Sequence, residues 1–446
     1  VAPSTVGAGW GKVPAGRGTA DMAQIEQTGK PESTGFGAYL FAHGVMFLTG
    51  GVQMVLFPYL VRVVLHENAI RFGFAQMSLQ LPTTLLILIG GYMADRVDGR
   101  RTMILSYAAT SLAFLALGLL VAGGRLSYGL LITYALLVGT IGAFASPARD
   151  SLLSQVAPRP QELQSAVAGA SMAQFGGQIL GMLLAILAPV IGVASLLLGQ
   201  AGLVAMAVVA ALGLRPRPAA ERRQREGNVF AFIAGEIGGG FSAVVASPVI
   251  APVLLCAMGM GICFMGAFAV LLPLVVQSYF AAPGAGGNTA IASAFAVFSL
   301  CFWVGSMISA MVLMRLGPLR RKGRAYLLSL MCGSGVLLAC ALPVPLWALC
   351  GLNFLWGLGG GVAMTLSRGL VQAHAPPEKR ARVLSIFSLG MMGGGPVGAV
   401  AYGFLAHAIG PGPSIVVPAV GMASVALLVA LRTGLWGLED EAPAAA

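Results

Sequence analysis

The stretch GYMADRVDGRR, residues 91–101, lies between two long apolar runs and places five charged residues within seven consecutive positions. A second basic stretch, RLGPLRRKGR at residues 315–324, also lies between two apolar runs. Its first residue, Arg315, comes 219 positions after Arg96 in the first stretch. The spacing predicts a chain built from two similar halves, each with a basic hairpin between its second and third membrane spans.

The composition indicates a membrane protein. Hydrophobic residues make up 57% of the 446 residues, charged residues only 9%, and the mean hydropathy is +0.87. A soluble domain carries about 25% charged residues, so this chain has too few to cover a water-facing surface. Many of its apolar runs reach the roughly 20 residues that a transmembrane helix needs.

Twelve spans are expected, and they must be helical because lipid offers no hydrogen bonds to the backbone. We predict them at residues 38–64, 69–94, 102–122, 129–148, 163–187, 190–213, 249–277, 288–314, 325–343, 345–369, 382–408 and 414–435. The fold class is therefore an all-α membrane protein with two pseudo-symmetric six-helix bundles. The predicted parts are a disordered N-terminus (1–36), a first bundle (37–213), a linker (214–248), a second bundle (249–435) and a tail (436–446). Met22 is a candidate start of translation.

The distribution of Lys and Arg predicts the orientation in the membrane. Nineteen lie in the loops after the even-numbered spans or at their flanks, and three (Arg62, Arg71 and Arg125) in those after the odd-numbered spans. By the positive-inside rule, the even loops and both termini are cytoplasmic and the chain is a multi-pass protein of the cell inner membrane. This bias accounts for the net charge of +11 without a nucleic-acid partner.

No catalytic or metal-binding pattern is visible in the sequence. The six Cys residues form no CxxC pair, the four His residues are scattered, and no Walker-type Gly-Lys-Ser/Thr sequence is present. The sequence predicts no cofactor, no metal site, no ATPase and no enzyme activity. We expect a monomer whose partners are membrane lipid and a small molecule.

The segment DRVDGRR at 95–101 resembles motif A of the major facilitator superfamily, the signature of the loop between spans 2 and 3. Its second acid makes it similar to the drug and siderophore exporters, such as the enterobactin and macrolide exporters. Three further segments agree with the superfamily: PARDSLL at 147–153, GPLRRKGR at 317–324, and RGLVQ at 368–372. The resemblance covers about residues 36–435.

The resemblance implies that two six-helix bundles enclose a central cavity and rock to open it to one side at a time. It also implies a latch in which Asp95 faces the N-terminus of span 11 in the outward-open state, where the helix dipole favours an acid. Arg100 or Arg101 would reach Asp150 at the end of span 4. The expected gating residues are Asp95, Arg96, Arg100, Arg101, Arg149, Asp150 and Arg368. The alternative is that this loop only sets the topology by its charge.

The chain departs from the proton-coupled relatives in two respects. The span 5 segment GQILG at 177–181 lacks the Pro of their Gly-Pro-x-x-Gly element, and span 1 contains no acid. Coupling to a proton normally needs a titratable group in the pathway. The remaining candidate is His43, which could instead be a structural interhelical residue.

The cavity is expected to contain the polar residues of the apolar spans together with aromatic side chains. The candidates for the substrate cavity are His43, Gln53, Gln80, Gln174, Gln178, Asn353 and Trp356. Each polar residue could equally serve as an interhelical hydrogen bond. A cavity without a carboxylate suits bulky neutral or amphipathic solutes.

These observations predict a secondary active transporter, an antiporter that exports hydrophobic or amphipathic small molecules by alternating access, with a proton as the possible coupling ion. One alternative is a lipid or lysolipid flippase on the same fold. Another is a membrane scaffold or sensor that has lost transport.

The topology can be tested by cysteine labelling. A Cys at Gly124, between spans 3 and 4, should react with an impermeant thiol reagent from outside the cell. A Cys at Gly227, in the linker, should react only after permeabilisation. The unsubstituted chain is the control, and the reverse labelling pattern would contradict the orientation.

Overall fold

The computed structural model describes residues 35–94, 96–157, 163–215, 238–239, 241–280, 287–316, 319–376 and 379–438. Twelve long helical segments, α1 to α12, account for most of this part of the chain. They are Phe36–Val64 (α1), Ala69–Ala94 (α2), Gly99–Ala122 (α3), Tyr128–Val156 (α4), Leu163–Ile186 (α5), Val193–Leu212 (α6), Ile250–Ser278 (α7), Gly287–Leu316 (α8), Lys322–Ala339 (α9), Leu346–His374 (α10), Arg380–Ile409 (α11) and Val416–Arg432 (α12). Each of the twelve predicted spans overlaps one of these segments. The N-terminus with Met22, residues 216–237 of the linker and the tail from residue 439 lie outside the described residues.

Within the described ranges, eleven of the helices are long and apolar enough to cross a membrane. The remaining segment is α9, which has 18 residues and carries Lys322 and Arg324 in its first turn. These two charges lower its average hydropathy. The predicted all-α fold with two six-helix bundles is confirmed.

Helices α4 and α10 continue past the predicted spans toward the side of the basic loops. α4 ends at Val156 rather than 148, and α10 at His374 rather than 369. Both helices have 29 residues, as expected for equivalent helices of the two halves. The apolar runs stop earlier because the last turns carry charged and polar residues that project from the membrane.

Glycines bring the same pairs of helices into backbone contact in both halves. In the first half, a methyl group at Gly181 of α5 would strike the Leu48 backbone of α1, and one at Gly139 of α4 would strike the Leu79 backbone of α2. In the second half, equivalent contacts join α7 to α11 at Gly261 and α8 to α10 at Gly357. Small residues allow membrane helices to approach this closely. The α7–α11 and α8–α10 contacts of the second half repeat the α1–α5 and α2–α4 contacts of the first.

A substitution at the α1–α5 contact tests its importance for stability. Gly181→Ala should lower the melting temperature of the purified protein, because the methyl group meets the backbone oxygen of Leu48, which cannot move aside easily. Overpacking of this kind costs about 1–3 kcal/mol. Gly176→Ala on the same helix is the matched control, since an added methyl there meets no atom within 4 Å. Equal melting temperatures for the two variants would show that the close approach is not needed.

Candidate functional site

A central cavity of about 550 Å³ lies between the two halves. Helices α1 to α4 form its wall in the first half, and helices α7 to α11 form its wall in the second half. Its volume falls within the range of about 300–1,000 Å³ that is typical of small-molecule sites. None of the described residues that line it carries a charge.

The two walls of the cavity differ in chemistry. The first half contributes seven uncharged polar side chains: Thr49, Gln53, Gln76, Gln80, Thr83, Thr84 and Thr110. The second half contributes seven aromatic side chains: Phe264, Phe268, Phe295, Phe298, Phe302, Trp303 and Trp356. The first half adds only Phe57 and Phe114 to the aromatic residues, and the second half adds only Ser299 and Ser329 to the polar ones. The cavity is therefore polar on one side and aromatic on the other.

The aromatic wall is held together by ring contacts among three helices. Trp356 of α10 packs edge-to-face on Phe264 of α7, with 5.3 Å between the ring centroids, and on Phe302 of α8 at 5.5 Å. Phe268 of α7 lies 4.9 Å from Phe302. Edge-to-face and tilted pairs at these distances are favourable and fix the ring orientations. Trp356 and Phe264 are buried, so the ring area that this cluster offers to the cavity is mainly that of Phe268 and Phe302.

Gln53 on the polar wall is supported by Gln200 of α6. The Gln53 amide Nε2 donates a hydrogen bond to Gln200 Oε1 at 3.2 Å, and Gln200 is 2% exposed. Gln53 Oε1 and Gln200 Nε2 are buried and make no hydrogen bond to a described residue. Gln200 was missed in the sequence analysis, although it is a polar residue in an otherwise apolar span.

Three of the predicted cavity residues line the cavity: Gln53, Gln80 and Trp356. The others lie elsewhere. Asn353 is fully buried and donates to the Phe298 carbonyl of α8 at 2.6 Å, which makes it an interhelical contact within the second half. Gln178 is buried against Met54 of α1, with Nε2 3.9 Å from the sulfur. Gln174 is half-buried on α5 outside the lining residues.

His43 is also outside the residues that line the cavity, in the interior of the first half. Its ring lies 5.6 Å from that of Tyr39 and 5.0 Å from that of Phe47, one turn away on each side. Neither ring nitrogen makes a hydrogen bond of good geometry to the described residues, although the backbone of Ala170 on α5 is close. The Arg149 guanidinium lies on the neighbouring Phe47 ring, 4.8 Å from its centroid, and so lies close to this imidazole.

The halves meet closely at the helix ends opposite the basic loops. An added methyl group at Gly73 of α2 or at Gly403 of α11 would strike the other helix, and the Phe74 and Phe404 rings form an edge contact at 6.0 Å. Arg62 of α1 donates from Nε to Gln277 Oε1 of α7 at 2.8 Å.

A second contact on this side joins α5 to α8. The Ser293 hydroxyl of α8 donates to the Ile186 carbonyl of α5 at 3.0 Å. Together with the α2–α11 contact, it closes the end of the cavity that lies away from the basic loops.

The basic loop after α2 is joined to α6 in this structure. The Asp98 carboxylate accepts a hydrogen bond from the Arg100 amide at 3.0 Å and so caps the N-terminus of α3. The Arg100 side chain extends to α6, where Nε donates to the Ala211 carbonyl at 3.4 Å and the guanidinium also reaches the Leu212 carbonyl. Arg100 therefore binds the C-terminus of α6, where carbonyl groups favour a cation, rather than Asp150, and its expected contact with Asp150 stays a prediction for the state that is closed at the basic loops.

Asp150 lies beside two Arg residues in this structure. Arg149 Nε lies 4.0 Å from its carboxylate, and the exposed Arg368 of α10 also interacts with it electrostatically. The Arg149 guanidinium lies over the Phe47 ring, 4.8 Å from its centroid. Arg101 is exposed to solvent.

The two remaining latch residues follow α2 in the sequence. Arg96 lies over the Tyr92 ring at 4.2 Å from its centroid. Asp95, the central residue of the expected latch, lies outside the described residues.

The sequence matches the family model of the Major Facilitator Superfamily over residues 39–343 and 286–445. The chain belongs to this superfamily of membrane transporters. A search of curated proteins with the sequence finds no match.

Solved structures with the same fold include several transporters. The nucleoside transporter NupG has a TM-score of 0.71 at 13% identity, covering 88% of this chain and 97% of NupG. A POT family transporter in complex with 5-aminolevulinic acid has a TM-score of 0.68 at 12% identity, covering 90% of this chain and 96% of that transporter. A bacterial homolog of the human lysosomal transporter Spinster, in an inward-facing, occupied conformation, has a TM-score of 0.66 at 16% identity. The match covers 91% of this chain and 98% of the homolog. At these identities the similarity shows the fold alone.

A methyl group at Gly403 tests the closure opposite the basic loops. Gly403→Ala should push α11 away from the α2 backbone at Ala69 and Gly73 and so favour states open on this side. A Cys placed at the cavity residue Ala269 should then react faster with an impermeant thiol reagent added on this side. Gly393→Ala on the same helix is the control, because a methyl there makes only an ordinary contact with Thr84. An unchanged labelling rate in Gly403→Ala would contradict the assignment of this contact as a gate.

Proposed function

We propose that the protein is a secondary active transporter of the inner membrane that exports bulky, uncharged or amphipathic small molecules by alternating access. The observation that carries the proposal is a drug-sized cavity between two six-helix bundles, with aromatic walls and no charged lining residue in the described part of the chain. A dication or a phosphorylated sugar would lose its hydration there without gaining a counter-charge, which is costly in a low-dielectric site.

Alternating access is supported by the unequal contacts at the two ends of the cavity. Glycine contacts and hydrogen bonds between the halves close the end opposite the basic loops. By the positive-inside rule the basic loops are cytoplasmic, so this state corresponds to a transporter closed toward the outside. Export then requires these contacts to break while the cytoplasmic ends of the helices come together. The direction of transport rests on the resemblance of residues 95–101 to the exporter branch.

The cytoplasmic latch that we propose is built from the charges at the ends of α2, α4 and α10. Asp150 attracts both Arg149 of its own helix and Arg368 of the other half, so it favours approach of α4 and α10. Asp95 would add an acid beside the N-terminus of α11 when the cytoplasmic side closes. Arg100 has a different role here, since it fixes α3 to α6 within the first half.

A proton gradient is the driving force that the family resemblance favours. His43 is a poor carrier because it is buried away from the cavity, beside the Arg149 cation. We therefore propose that His43 is a packing residue of the first half. Its replacement by Gln should lower transport only as far as it lowers the amount of protein.

The latch can be tested with Asp95→Asn, which keeps the size and hydrogen bonding of the side chain and removes its charge. We expect normal insertion, slower transport and a larger inward-facing population. The charge–helix interaction is worth about 0.3–1 kcal/mol when exposed and up to about 2 kcal/mol when partly buried. Full transport at normal abundance would leave Asp95 as a topology signal only.

Export itself can be tested in an efflux-deficient bacterium. Expression of the chain should lower the accumulation of at least one bulky amphipathic compound, and dissipating the ion gradient should abolish the effect. Phe302→Ala should raise the accumulation again, because each aromatic pair contributes about 0.5–1.5 kcal/mol beyond its buried area. Phe41→Ala is the matched control, since Phe41 is exposed on the outer face of α1 and does not line the cavity.

A lack of efflux in this assay would reject the exporter proposal under the following conditions. If a broad panel of dyes, antibiotics, siderophores and lysolipids shows neither lower accumulation nor flipping with well-inserted protein, the exporter proposal fails. The scaffold or sensor would then be the better account. Flipping of lysolipids without efflux of the other compounds would favour the flippase.

A further inference from the structure

The threonines of the polar wall present oxygen atoms without free hydrogens. The hydroxyl of Thr49 donates to the Met46 carbonyl at 2.8 Å, and that of Thr110 donates to the Ser106 carbonyl at 2.9 Å. Thr83 donates to Gly139 at 2.7 Å. A hydroxyl has one hydrogen and two lone pairs, so each of these oxygens remains an acceptor once its hydrogen is used.

The glutamines add hydrogen-bonding groups of both kinds. Gln76 donates from Nε2 to the Ala269 carbonyl at 3.0 Å, and Gln53 donates from Nε2 to Gln200. Each of these bonds uses one of the two hydrogens of the amide nitrogen, so an N–H group remains on each side chain, while Gln53 Oε1 is buried. The polar wall therefore combines threonine acceptors with glutamine N–H groups, and it is best matched by hydroxyl groups, which both donate and accept hydrogen bonds.

The opposite wall selects for a flat apolar group. The rings of Phe264, Phe268, Phe302 and Trp356 contact one another at centroid distances of 4.9–6.0 Å, so they form one continuous cluster. Phe268 and Phe302 are half-buried and face the cavity, and the buried Trp356 holds them in place. The indole N–H of Trp303 is directed to the sulfur of Met54, a weak acceptor, at 3.3 Å. A planar ring system can stack or pack edge-to-face on such a surface.

We propose that the cavity binds an uncharged molecule of two parts, a planar ring system against the aromatic wall and a group rich in hydroxyl or N–H donors against the threonine and glutamine wall. This inference deepens the proposed function and rests on it for transport, whereas binding can be measured separately. A cation would be attracted by the rings but would find no carboxylate to replace its hydration. An anion would face the threonine lone pairs and would find no cationic side chain in the described lining.

Four probes separate these possibilities by equilibrium dialysis with the protein in lipid nanodiscs. They are 4-methylumbelliferyl β-D-glucoside, its tetra-O-methyl derivative, 7-methoxy-4-methylcoumarin and the cation ethidium. Empty nanodiscs correct for partition into lipid. The glucoside should bind about tenfold more tightly than its methylated derivative, because the two keep the same ring and differ in hydroxyl donors.

The substitution Thr83→Val tests the wall itself, because Thr83 is half-buried on the cavity lining, whereas Thr49 and Thr110 are only 1% and 3% exposed. It removes one acceptor with little change of shape and should weaken glucoside binding by about threefold to tenfold while leaving coumarin binding within about twofold. The matched control is Thr140→Val on α4, whose hydroxyl donates to the Leu136 carbonyl of its own helix and lies outside the cavity lining. Retained coumarin binding shows that the Thr83→Val variant is folded.

The results decide between the two proposals. Three results would overturn the proposal of a cavity divided into a polar and an aromatic wall, here called the divided cavity. They are equal or weaker binding of the glucoside relative to its methylated derivative, tighter binding of ethidium than of the glucoside, and no binding of any probe. Export of other amphipathic compounds in the same cells would still support the exporter. Preferred binding of the glucoside together with a negative efflux panel would support the divided cavity and reject the exporter.

Discussion

Backbone contact between helices at glycines is the constraint on which the rest of this structure depends. Lipid provides no hydrophobic force to press membrane helices together, so their association relies on close packing. Gly181 and Gly139 allow α1 to reach α5 and α2 to reach α4, and Gly261 and Gly357 do the same for the equivalent helices of the second half. Each half is thereby a tightly packed unit, and the space that remains between the units is the cavity.

The chemistry of the cavity follows from how the two units differ. Both halves repeat the same helix pairs, but the lining positions hold Thr and Gln in the first half and Phe and Trp in the second. The charged residues of the described chain lie outside the cavity lining, at the helix ends and loops; at the basic loops, Arg100 binds the end of α6 and Arg149 lies beside Asp150. The cavity thus has polar groups without a fixed charge, and on the proposed function this favours uncharged ligands.

The sequence was sufficient for the fold because apolar runs and repeated basic hairpins are local signals. The sequence was not sufficient to predict side-chain contacts that depend on how each helix is rotated about its own axis. Arg100 could have faced α4 or α6, and in the structure it binds the end of α6. Asn353 resembled a cavity residue by its polarity, yet it faces Phe298 within the second half.

The polar wall contains lining residues that the sequence analysis did not identify. Threonines such as Thr49 and Thr110 are too common in membrane helices to be recognised as lining residues, because their hydroxyls bond to their own helix. Gln76 and Gln200 were stronger signals, since an amide in an apolar span needs a partner. Only the three-dimensional packing shows that Gln200 supports Gln53 from behind the cavity wall.

The central claim is that the two halves move as rigid units about this uncharged cavity. Distances between spin labels, measured by double electron–electron resonance, test it most directly on a chain without its native cysteines. Labels at Arg125 and Leu342 report across the halves, and labels at Arg125 and Val190 report within the first half; Leu342 and Val190 are exposed large apolar residues. The account predicts two populations across the halves, with proportions that change when an exported compound is added, and one unchanged population within the half. A fixed distance across the halves, or a change within the first half, would contradict it.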